Sequence, residues 1–255
     1  MTRRRVLVTR PVREALRWVD ALRQHSLDAH ALPLLGIEPL ADDSALREVR
    51  GRAASFDAWM FVSAAAVEHF LAGGGQGAEG PRCWGTGPGT AAALRAAGVP
   101  EARIDVPDSG AEQFDSETLW KIVRPQVGPG TRVLFVRGGD AAGQAAGRDW
   151  LSRQVSDAGA AQETVTAYRR VAPAWGGIER RMAEAAAHDG SVWLFSSSQA
   201  IANLGELLPA VDWSRALAVA THPRIAQSAS AAGFGRVATA LAQLDALVAS
   251  IESFE

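Results

Sequence analysis

The chain has 255 residues, of which 47% are apolar and 21% charged, a composition typical of folded globular proteins. Its formal net charge of -2 excludes a global basic field that would hold a nucleic-acid backbone. Cys83 is the single cysteine, which excludes an intrachain disulfide and fits a reducing compartment. No apolar run approaches the length of a membrane span, and the residues after Met1 do not form a signal-peptide core. We therefore expect a cytoplasmic protein that binds neither nucleic acid nor a membrane.

Strand patterns and helix patterns alternate along the chain. Val6–Thr9 has the pattern of a buried strand, and apolar residues then recur at helical spacing as far as Leu22. Ala31–Leu35 and Ala58–Val62 are predicted as further strands, and the latter runs into a helix that contains Phe70. This alternation favours parallel sheets that are covered by helices on both faces.

The sequence does not support a site for nucleotide, metal or hydrolase chemistry. Residues 75–80 match the dinucleotide fingerprint G-x-G-x-x-G, but they follow a helix and run into Pro81, where the fingerprint requires a strand before and a helix after. The chain contains no G-x-x-x-x-G-K-[ST] phosphate loop and no G-x-S-x-G elbow. Its five histidines lack the spacing of metal ligands. We therefore expect no metal and no other cofactor.

Three short patterns occur twice, at similar separations along the chain. Residues 132–137 repeat the pattern of 5–10, residues 194–197 repeat 60–63, and residues 220–223 repeat 85–88. The common order of three matches indicates the duplication of one α/β unit. The predicted fold class is therefore α/β, with two similar lobes whose parallel sheets are flanked by helices.

Two extended segments separate the predicted lobes. Residues 36–41 and 164–172 are β-branched or proline-marked, and we predict that they pair as a two-stranded β linker. Lobe 1 is then discontinuous, with residues 1–35 and 173–255, and lobe 2 comprises residues 42–163.

The predicted strand-to-helix turns are rich in small, hydroxyl and cationic side chains. A helix N-terminus offers free N–H groups and the positive end of the helix dipole, so such turns bind anions. The same residues are also the helix caps that any α/β protein needs, and both interpretations stay open for each turn. Arginines within residues 3–13 likewise form either a solvated face or one wall of an anion site. The turns together predict a site for a large polyanion at the carboxyl edges of two sheets, with the candidate residues Arg10, Ser63, Thr86, Gly87, Thr90, Arg137, Gly138, Ser196, Ser197 and Thr221.

The order and spacing of six motifs resemble the uroporphyrinogen-III synthase family. They are V-L-V-T-R-P near the start, F-V-S-x-x-A-V from Phe61, G-x-G-P-G-T-A-x-x-L from Gly85, V-L-F-V-R-G from Val133, T-V-T-A-Y-R-R from Thr164 and F-S-S-S-x-A from Phe195. The resemblance covers nearly the whole chain.

This resemblance implies a cofactor-free lyase that binds the linear tetrapyrrole hydroxymethylbilane between two lobes. The product is uroporphyrinogen III, formed with loss of water and with ring D inverted through a spiro intermediate. Tyr168, the single tyrosine, matches the linker tyrosine of the family and is expected to assist departure of the hydroxyl group. The substrate carboxylates are expected to bind the turns, with Arg10 and Arg137 as charge partners. We expect the enzyme to be a monomer.

One turn departs from the family pattern. The segment Thr221-His222-Pro223-Arg224-Ile225 stands where many members have a glycine-proline-threonine turn. Drift, a different carboxylate contact through Arg224, or reduced activity would each explain the change. Two other functions stay open: a non-catalytic tetrapyrrole-binding or sensing module on the same fold, and a two-lobed binding protein for another small anion.

Overall fold

In the computed structural model, the structure describes residues 4–72, 80–108, 114–145 and 149–254. The strands are β1 (Arg5–Val8), β2 (Asp28–Ala31), β3 (Gly36–Glu38), β4 (Ala58–Phe61), β5 (Arg82–Gly85), β6 (Ile104–Asp105), β7 (Arg132–Gly139), β8 (Ala161–Val171), β9 (Val192–Phe195), β10 (Leu217–Ala220) and β11 (Arg236–Thr239). The α-helices are α1 (Val12–Gln24), α2 (Ser44–Gly51), α3 (Ala64–Phe70), α4 (Pro88–Ala96), α5 (Ser116–Val123), α6 (Trp150–Asp157), α7 (Gly177–Ala186), α8 (Ser198–Leu207), α9 (Pro223–Ala231) and α10 (Leu244–Glu252).

The chain divides into two compact units. Unit 1 contains the residues up to Gly36 and those from Ala172 onward, and unit 2 contains Ile37–Val171. Each unit has one sheet with helices on both of its faces. The prediction of two similar α/β units with parallel sheets is confirmed.

The sheet of unit 1 has the strand order β11-β10-β9-β1-β2, and its neighbouring strands are parallel. Side chains alternate between the two faces, as the pleat of a strand requires. Leu7, Trp193 and Phe195 pack with α7, α8 and α9, whereas Val6 and Val8 pack with α1 and α10. Because both faces are buried, the inner strands β9 and β10 are apolar throughout.

The sheet of unit 2 has the strand order β3-β8-β7-β4-β5-β6, and the strands from β8 to β6 run parallel. Trp59, Phe61 and Leu134 pack with α2, α3 and α4. Met60 and Phe135 face the other way and pack with α5 and α6. The unit therefore has two separate cores, one on each side of the sheet.

Equivalent strands have the same order in the two sheets. The sequence matches pair β1 with β7, β9 with β4 and β10 with β5, and the order β10-β9-β1 in unit 1 corresponds to β5-β4-β7 in unit 2. The ladder register also corresponds, because Leu7 lies opposite Trp193 in unit 1 and Leu134 lies opposite Trp59 in unit 2. The repeated sequence patterns therefore occupy equivalent positions in the two sheets.

Some predicted boundaries differ from the structure. The strand predicted at Ala31–Leu35 is displaced, because β2 spans Asp28–Ala31 and shares only Ala31 with it. Beyond β2, the N–H groups of Leu32 and Leu34 still donate to the carbonyls of Val8 and Thr9. The two segments predicted as linker strands fall in β3 and β8, which are neighbours at one edge of the unit 2 sheet. β8 begins at Ala161 and pairs with β7 along its length, so it is also a strand of that sheet. The role of these segments as a linker stays a prediction.

The glycine-rich residues 75–79 lie outside the described residues.

Candidate functional site

The candidate residues lie at the carboxyl ends of strands, and several of them lie where the chain order of each sheet reverses. In unit 2 this point lies between β4, which is followed by Ser63, and β7, which ends with Gly138 and Gly139. In unit 1 it lies between β1, which is followed by Arg10, and β9, which is followed by Ser196. Open α/β sheets bind ligands in the crevice at such points. Each unit therefore carries candidate residues where its own topology favours a ligand, and the candidates that follow β5 and β10 lie one strand further from that point.

A β-bulge turns Tyr168 to one face of the unit 2 sheet. Arg137 of β7 lies opposite Thr166, but the next residue, Gly138, lies opposite Tyr168, so Ala167 is an extra residue in β8. Such a bulge interrupts the alternation of side chains along a strand. Ala167 and Tyr168 consequently both pack in the core beside α3, although consecutive strand residues normally face opposite ways.

The hydroxyl group of Tyr168 contacts two half-buried polar side chains. Its Oη lies 3.1 Å from Ser63 Oγ, and Arg170 Nη2 donates to it over 3.5 Å. Ser63 caps α3, where its Oγ also accepts a hydrogen bond from the Ala66 N–H. Tyr168 as a whole is only 2% exposed. Tyr168 is therefore a buried ring whose hydroxyl group is oriented by Ser63 and Arg170.

His69 packs against the same ring. Its imidazole centroid lies 5.6 Å from that of Tyr168. Burial lowers the pKa of His69, attraction to Glu68 partly opposes this, and the charge of Arg50 lowers the pKa further. His69 therefore favours its neutral form, and Arg170 is the cation that contacts Tyr168, with its guanidinium carbon 5.7 Å from the ring centroid.

Arg137 lies on the opposite face of the sheet from Tyr168. Alternation along β7 directs Gly138 toward α3 and Arg137 toward α6. Arg137 Nη1 pairs with Asp149 Oδ1 at 2.8 Å, at the residue that precedes α6. Only 5% of Arg137 is exposed. Its predicted role as a charge partner of the substrate stays a prediction, and the structure does not bring it to Tyr168.

The turn between β5 and α4 contains three candidate residues with different surroundings. Gly87 is the N-cap residue of α4 and is extended, and a Cβ there would lie 3.2 Å from the Cβ of Phe114. Thr90 is buried, with its methyl carbon 2.8 Å from the position that a Cβ at Gly85 would occupy. Thr86 is half-buried. Thr90 therefore packs beneath the turn, while the side chain of Thr86 lies nearer the surface.

In unit 1, Arg10 contacts two side chains of α1, the helix that follows it. Its Nη1 lies 3.0 Å from Glu14 Oε2, and its guanidinium carbon lies 5.0 Å from the ring centroid of Trp18. Burial lowers the pKa of Arg10, and attraction to Glu14 opposes this shift. The Nε atom of Arg10 is buried and has no hydrogen-bond partner among the described residues. A ligand carboxylate would have to compete with Glu14 for this guanidinium.

The other unit 1 candidates precede α8 and α9 in the chain. Ser197 caps α8 by accepting from the Gln199 N–H at 3.2 Å, and Ser196 beside it is half-buried. Thr221 is half-buried and its N–H donates to the Phe195 carbonyl. They form the turns that follow two neighbouring strands.

The departure at residues 221–225 gives α9 a histidine cap. His222 Nδ1 accepts a hydrogen bond from the Arg224 N–H at 3.1 Å, so the imidazole has the role that serine has at α8. Arg224 is exposed, and Ile225 is buried in the core beneath α9. The substitution of Ile225 for a hydroxyl residue is therefore accommodated by packing, and Arg224 is available to solvent.

Sequence reasoning missed Arg170 and His69. Arg170 lies within the motif T-V-T-A-Y-R-R, and because residues two apart on a strand share a face, its contact with Tyr168 was open to prediction. His69 lies on α3, and no pattern in the sequence connects it with β8.

The described residues contain neither a cluster of metal-ligating side chains nor a helix suited to span a membrane. No three His, Cys, Asp or Glu side chains within residues 4–72, 80–108, 114–145 and 149–254 cluster as the ligands of a metal ion would. Within the same ranges, no helix combines the length and the apolar character needed to cross a membrane.

Known proteins share this fold across its full length. A structure of a mutant uroporphyrinogen III synthase from Thermus thermophilus matches with a TM-score of 0.56 and 16% identity, covering 98% of each chain. A structure of uroporphyrinogen-III synthetase from Helicobacter pylori matches with a TM-score of 0.56 and 15% identity, covering 98% of this chain and 100% of that one. At these identities the matches establish the fold.

No curated protein sequence matches the chain significantly. The sequence profile of the family described as uroporphyrinogen-III synthase HemD matches residues 17–249, and the chain therefore belongs to the uroporphyrinogen-III synthase family.

Proposed function

We propose that this chain closes hydroxymethylbilane to uroporphyrinogen III, with inversion of ring D and loss of water. The observation that carries the proposal is the Tyr168–Ser63 hydroxyl pair at the point where the strand order of unit 2 reverses, in a chain whose family match spans residues 17–249. A hydroxyl pair of this kind supplies a proton donor beside a crevice that suits a ligand.

The reaction begins with departure of the hydroxyl group of ring A as water. In the proposal Tyr168 donates the proton that this step requires, and Ser63 and Arg170 orient the phenol. The substituted carbon of ring D then attacks the resulting electrophilic carbon and gives a spiro intermediate. The original bond between the spiro carbon of ring D and the bridging carbon to ring C then breaks, and the other α-carbon of ring D attacks that bridging carbon, which inverts the ring. The proton lost from ring D as it regains aromaticity balances the proton used at the start, so the net change is loss of water.

Most of the acceleration in this proposal comes from orientation. The linear substrate closes unaided, so the protein has to bring together two ends of a flexible chain at the less accessible carbon of ring D. Strand-to-helix turns with free backbone N–H groups fit the acetate and propionate carboxylates of such a substrate. The turn residues Thr86, Gly87, Ser196, Ser197 and Thr221 are the proposed contacts, with Arg10 and Arg224 as cations and Thr90 packed beneath.

The test supplies freshly prepared hydroxymethylbilane to the purified protein and separates the product isomers. Uncatalysed closure gives the type I ring, so the expected result is type III product above the amount formed without protein. Type I product alone, together with tight binding of the tetrapyrrole, would instead support the non-catalytic binding module. No binding and no type III product would contradict both functions.

We further propose that the enzyme acts without a cofactor, as a cytoplasmic monomer that binds neither nucleic acid nor a membrane. The expected result is full type III formation after exhaustive chelation and in the absence of nucleotides. Restoration of lost activity by an added metal would contradict the first part. A dimer mass in light scattering at assay concentrations would contradict the proposed monomer.

A further inference from the structure

Arg170 differs from the other arginines that are at least half-buried in the described part of unit 2. Those arginines each bond to a carboxylate or a backbone carbonyl: Arg50 to Phe70, Arg52 to Glu163, Arg82 to Asp105, Arg103 to Pro81, Arg137 to Asp149 and Arg169 to Glu38. Arg170 contacts the hydroxyl group and the ring of Tyr168, and no carboxylate within the described residues pairs with it.

Hydrogen bonds to the described residues take up little of the donor capacity of Arg170. A guanidinium has five N–H donors, and the described contacts of Arg170 use one of them, in a long bond of 3.5 Å to Tyr168 Oη. A half-buried cation loses hydration, and proteins compensate for this loss with an anionic partner. The neighbouring Arg169 follows that rule, since it pairs with Glu38. Arg170 therefore has the features of a cation whose anionic partner arrives with a ligand.

The surroundings of Arg170 also fit a carboxylate. The hydroxyl groups of Ser63 and Tyr168 lie on the same side, within hydrogen-bonding distance of each other, and both can donate. Burial lowers the pKa of His69, so the imidazole that packs against Tyr168 favours its neutral form. The contacts of Tyr168 with Ser63, Arg170 and His69 involve no acidic side chain. Glu68, whose charge acts on His69, is the acidic neighbour of this cluster.

We propose that Arg170 binds a carboxylate of the tetrapyrrole and so places the reacting end of the substrate against the Tyr168 hydroxyl group. This inference rests on the proposed function, which supplies a substrate with acetate and propionate groups. It assigns to Arg170 the contact near Tyr168 that Arg137 does not make, since Arg137 faces α6 and pairs with Asp149. A guanidinium binds a carboxylate through two parallel hydrogen bonds, which fixes orientation as well as position.

The first experiment compares Arg170→Gln with Arg169→Gln in the isomer assay. Both variants remove one positive charge from β8, but Arg169 is already paired with Glu38. For Arg170→Gln we expect the KM for hydroxymethylbilane to rise roughly tenfold, because one charge-assisted hydrogen bond is lost. We also expect the salt dependence of KM to weaken. For Arg169→Gln we expect an unchanged KM. Wild-type KM and salt dependence in Arg170→Gln would overturn the proposal.

A second experiment separates substrate binding from an indirect effect through Tyr168. If Arg170 only orients the phenol, Arg170→Gln should lower kcat and should have no further effect in a Tyr168→Phe background. If Arg170 binds the substrate, the increase in KM should persist in that background. Arg170→Lys keeps the charge but loses the planar pair of donors, so its KM should lie between those of the wild type and Arg170→Gln. The same variant replaces Arg170→Gln in the comparison if Arg170→Gln folds poorly.

Titration with uroporphyrin III as a fluorescent probe distinguishes failure of this inference from failure of the proposed function. An inactive wild-type protein that binds the probe, with roughly tenfold weaker binding by Arg170→Gln, would contradict catalysis but support the carboxylate contact. An active enzyme with equal probe affinity and equal KM in the two proteins would contradict the contact and leave catalysis standing. An inactive protein that does not bind the probe would contradict both.

Discussion

The ring of Tyr168 lies directly on the backbone of Gly138, its cross-strand neighbour. A Cβ at Gly138 would lie 2.7 Å from Tyr168 Oη and 2.6 Å from Cε2, both far inside van der Waals contact. The bulge at Ala167 brings the two residues opposite each other. The absence of a side chain at Gly138 therefore fixes where the phenol can lie.

Gly138→Ala should displace the Tyr168 ring and lower activity. We expect a destabilisation of about 1–3 kcal/mol from overpacking, because the new methyl group would overlap the ring and force it to shift. The hydroxyl group should leave Ser63, so type III formation should fall by an amount similar to that in Tyr168→Phe. Urea unfolding and the isomer assay measure the two effects.

The double variant Gly138→Ala, Tyr168→Ala provides the control for this explanation. Removal of the ring leaves space for the new methyl group, so the added cost of Gly138→Ala should largely disappear in the Tyr168→Ala background. An equal cost in both backgrounds would show that Gly138 is required for a reason unrelated to the ring.

Tyr168→Phe should keep the fold and lose turnover. Phenylalanine retains the ring on Gly138 and removes the group that contacts Ser63 and Arg170, so stability should change by about 1 kcal/mol, the usual net value of a hydrogen bond. A positioned proton donor contributes ~100 to 10,000-fold, but water substitutes for it in part, so we expect a decrease in kcat of roughly 10 to 100-fold.

Tyr168→Ala distinguishes this role from simple packing. If the ring matters only for packing, Tyr168→Phe should have wild-type kcat while Tyr168→Ala is unstable. Probe affinity, melting temperature and type III formation, measured for both variants side by side, decide between the two roles. Wild-type turnover in Tyr168→Phe would leave substrate orientation as the source of catalysis.

The repeat and the parallel sheets were accessible from the sequence because they depend on buried strands. Leu7 and Leu134 occur in matching patterns, as do Trp59 and Trp193, and strands buried on both faces preserve such patterns. Parallel strands then place the residues that follow them at one edge of each sheet. The positions of Ser63 and Ser196 were predictable for this reason.

The bulge in β8 was not accessible in the same way. Strict alternation would place Tyr168 on the face of Thr166, away from α3, and nothing in T-V-T-A-Y-R-R marks Ala167 as the extra residue. A bulge depends on the partner strand, here on the room at Gly138, and therefore on a long-range contact. The pairing of Arg137 with Asp149 escaped prediction for a similar reason, since it depends on where α6 begins.

Cys83 should be unreactive toward thiol reagents in the folded protein. Its side chain is fully buried in β5, and burial raises the pKa of the thiol to about 12, which keeps the nucleophilic thiolate scarce at pH 8. We expect negligible labelling by a maleimide in buffer and labelling of one thiol per chain in urea. Rapid stoichiometric labelling of the folded protein would mean that β5 opens readily.

Acid should destabilise the protein partly through His69. Burial lowers the pKa of this imidazole in the folded state, so below its ordinary value of about 6.5 the unfolded chain takes up a proton that the folded chain resists. Stability contributed by neutral His69 is therefore present above pH 6.5 and decreases as the pH falls toward the lowered folded value. His69→Gln removes this titration, so the free energy of unfolding of the variant should increase relative to that of the wild type as the pH falls from 7.5 to 5, as measured by urea unfolding at each pH. At pH 8 both proteins have a neutral side chain at this position, which gives the reference difference due to packing against Tyr168. A difference that stays constant from pH 8 to pH 5 would show that protonation of His69 is not linked to folding.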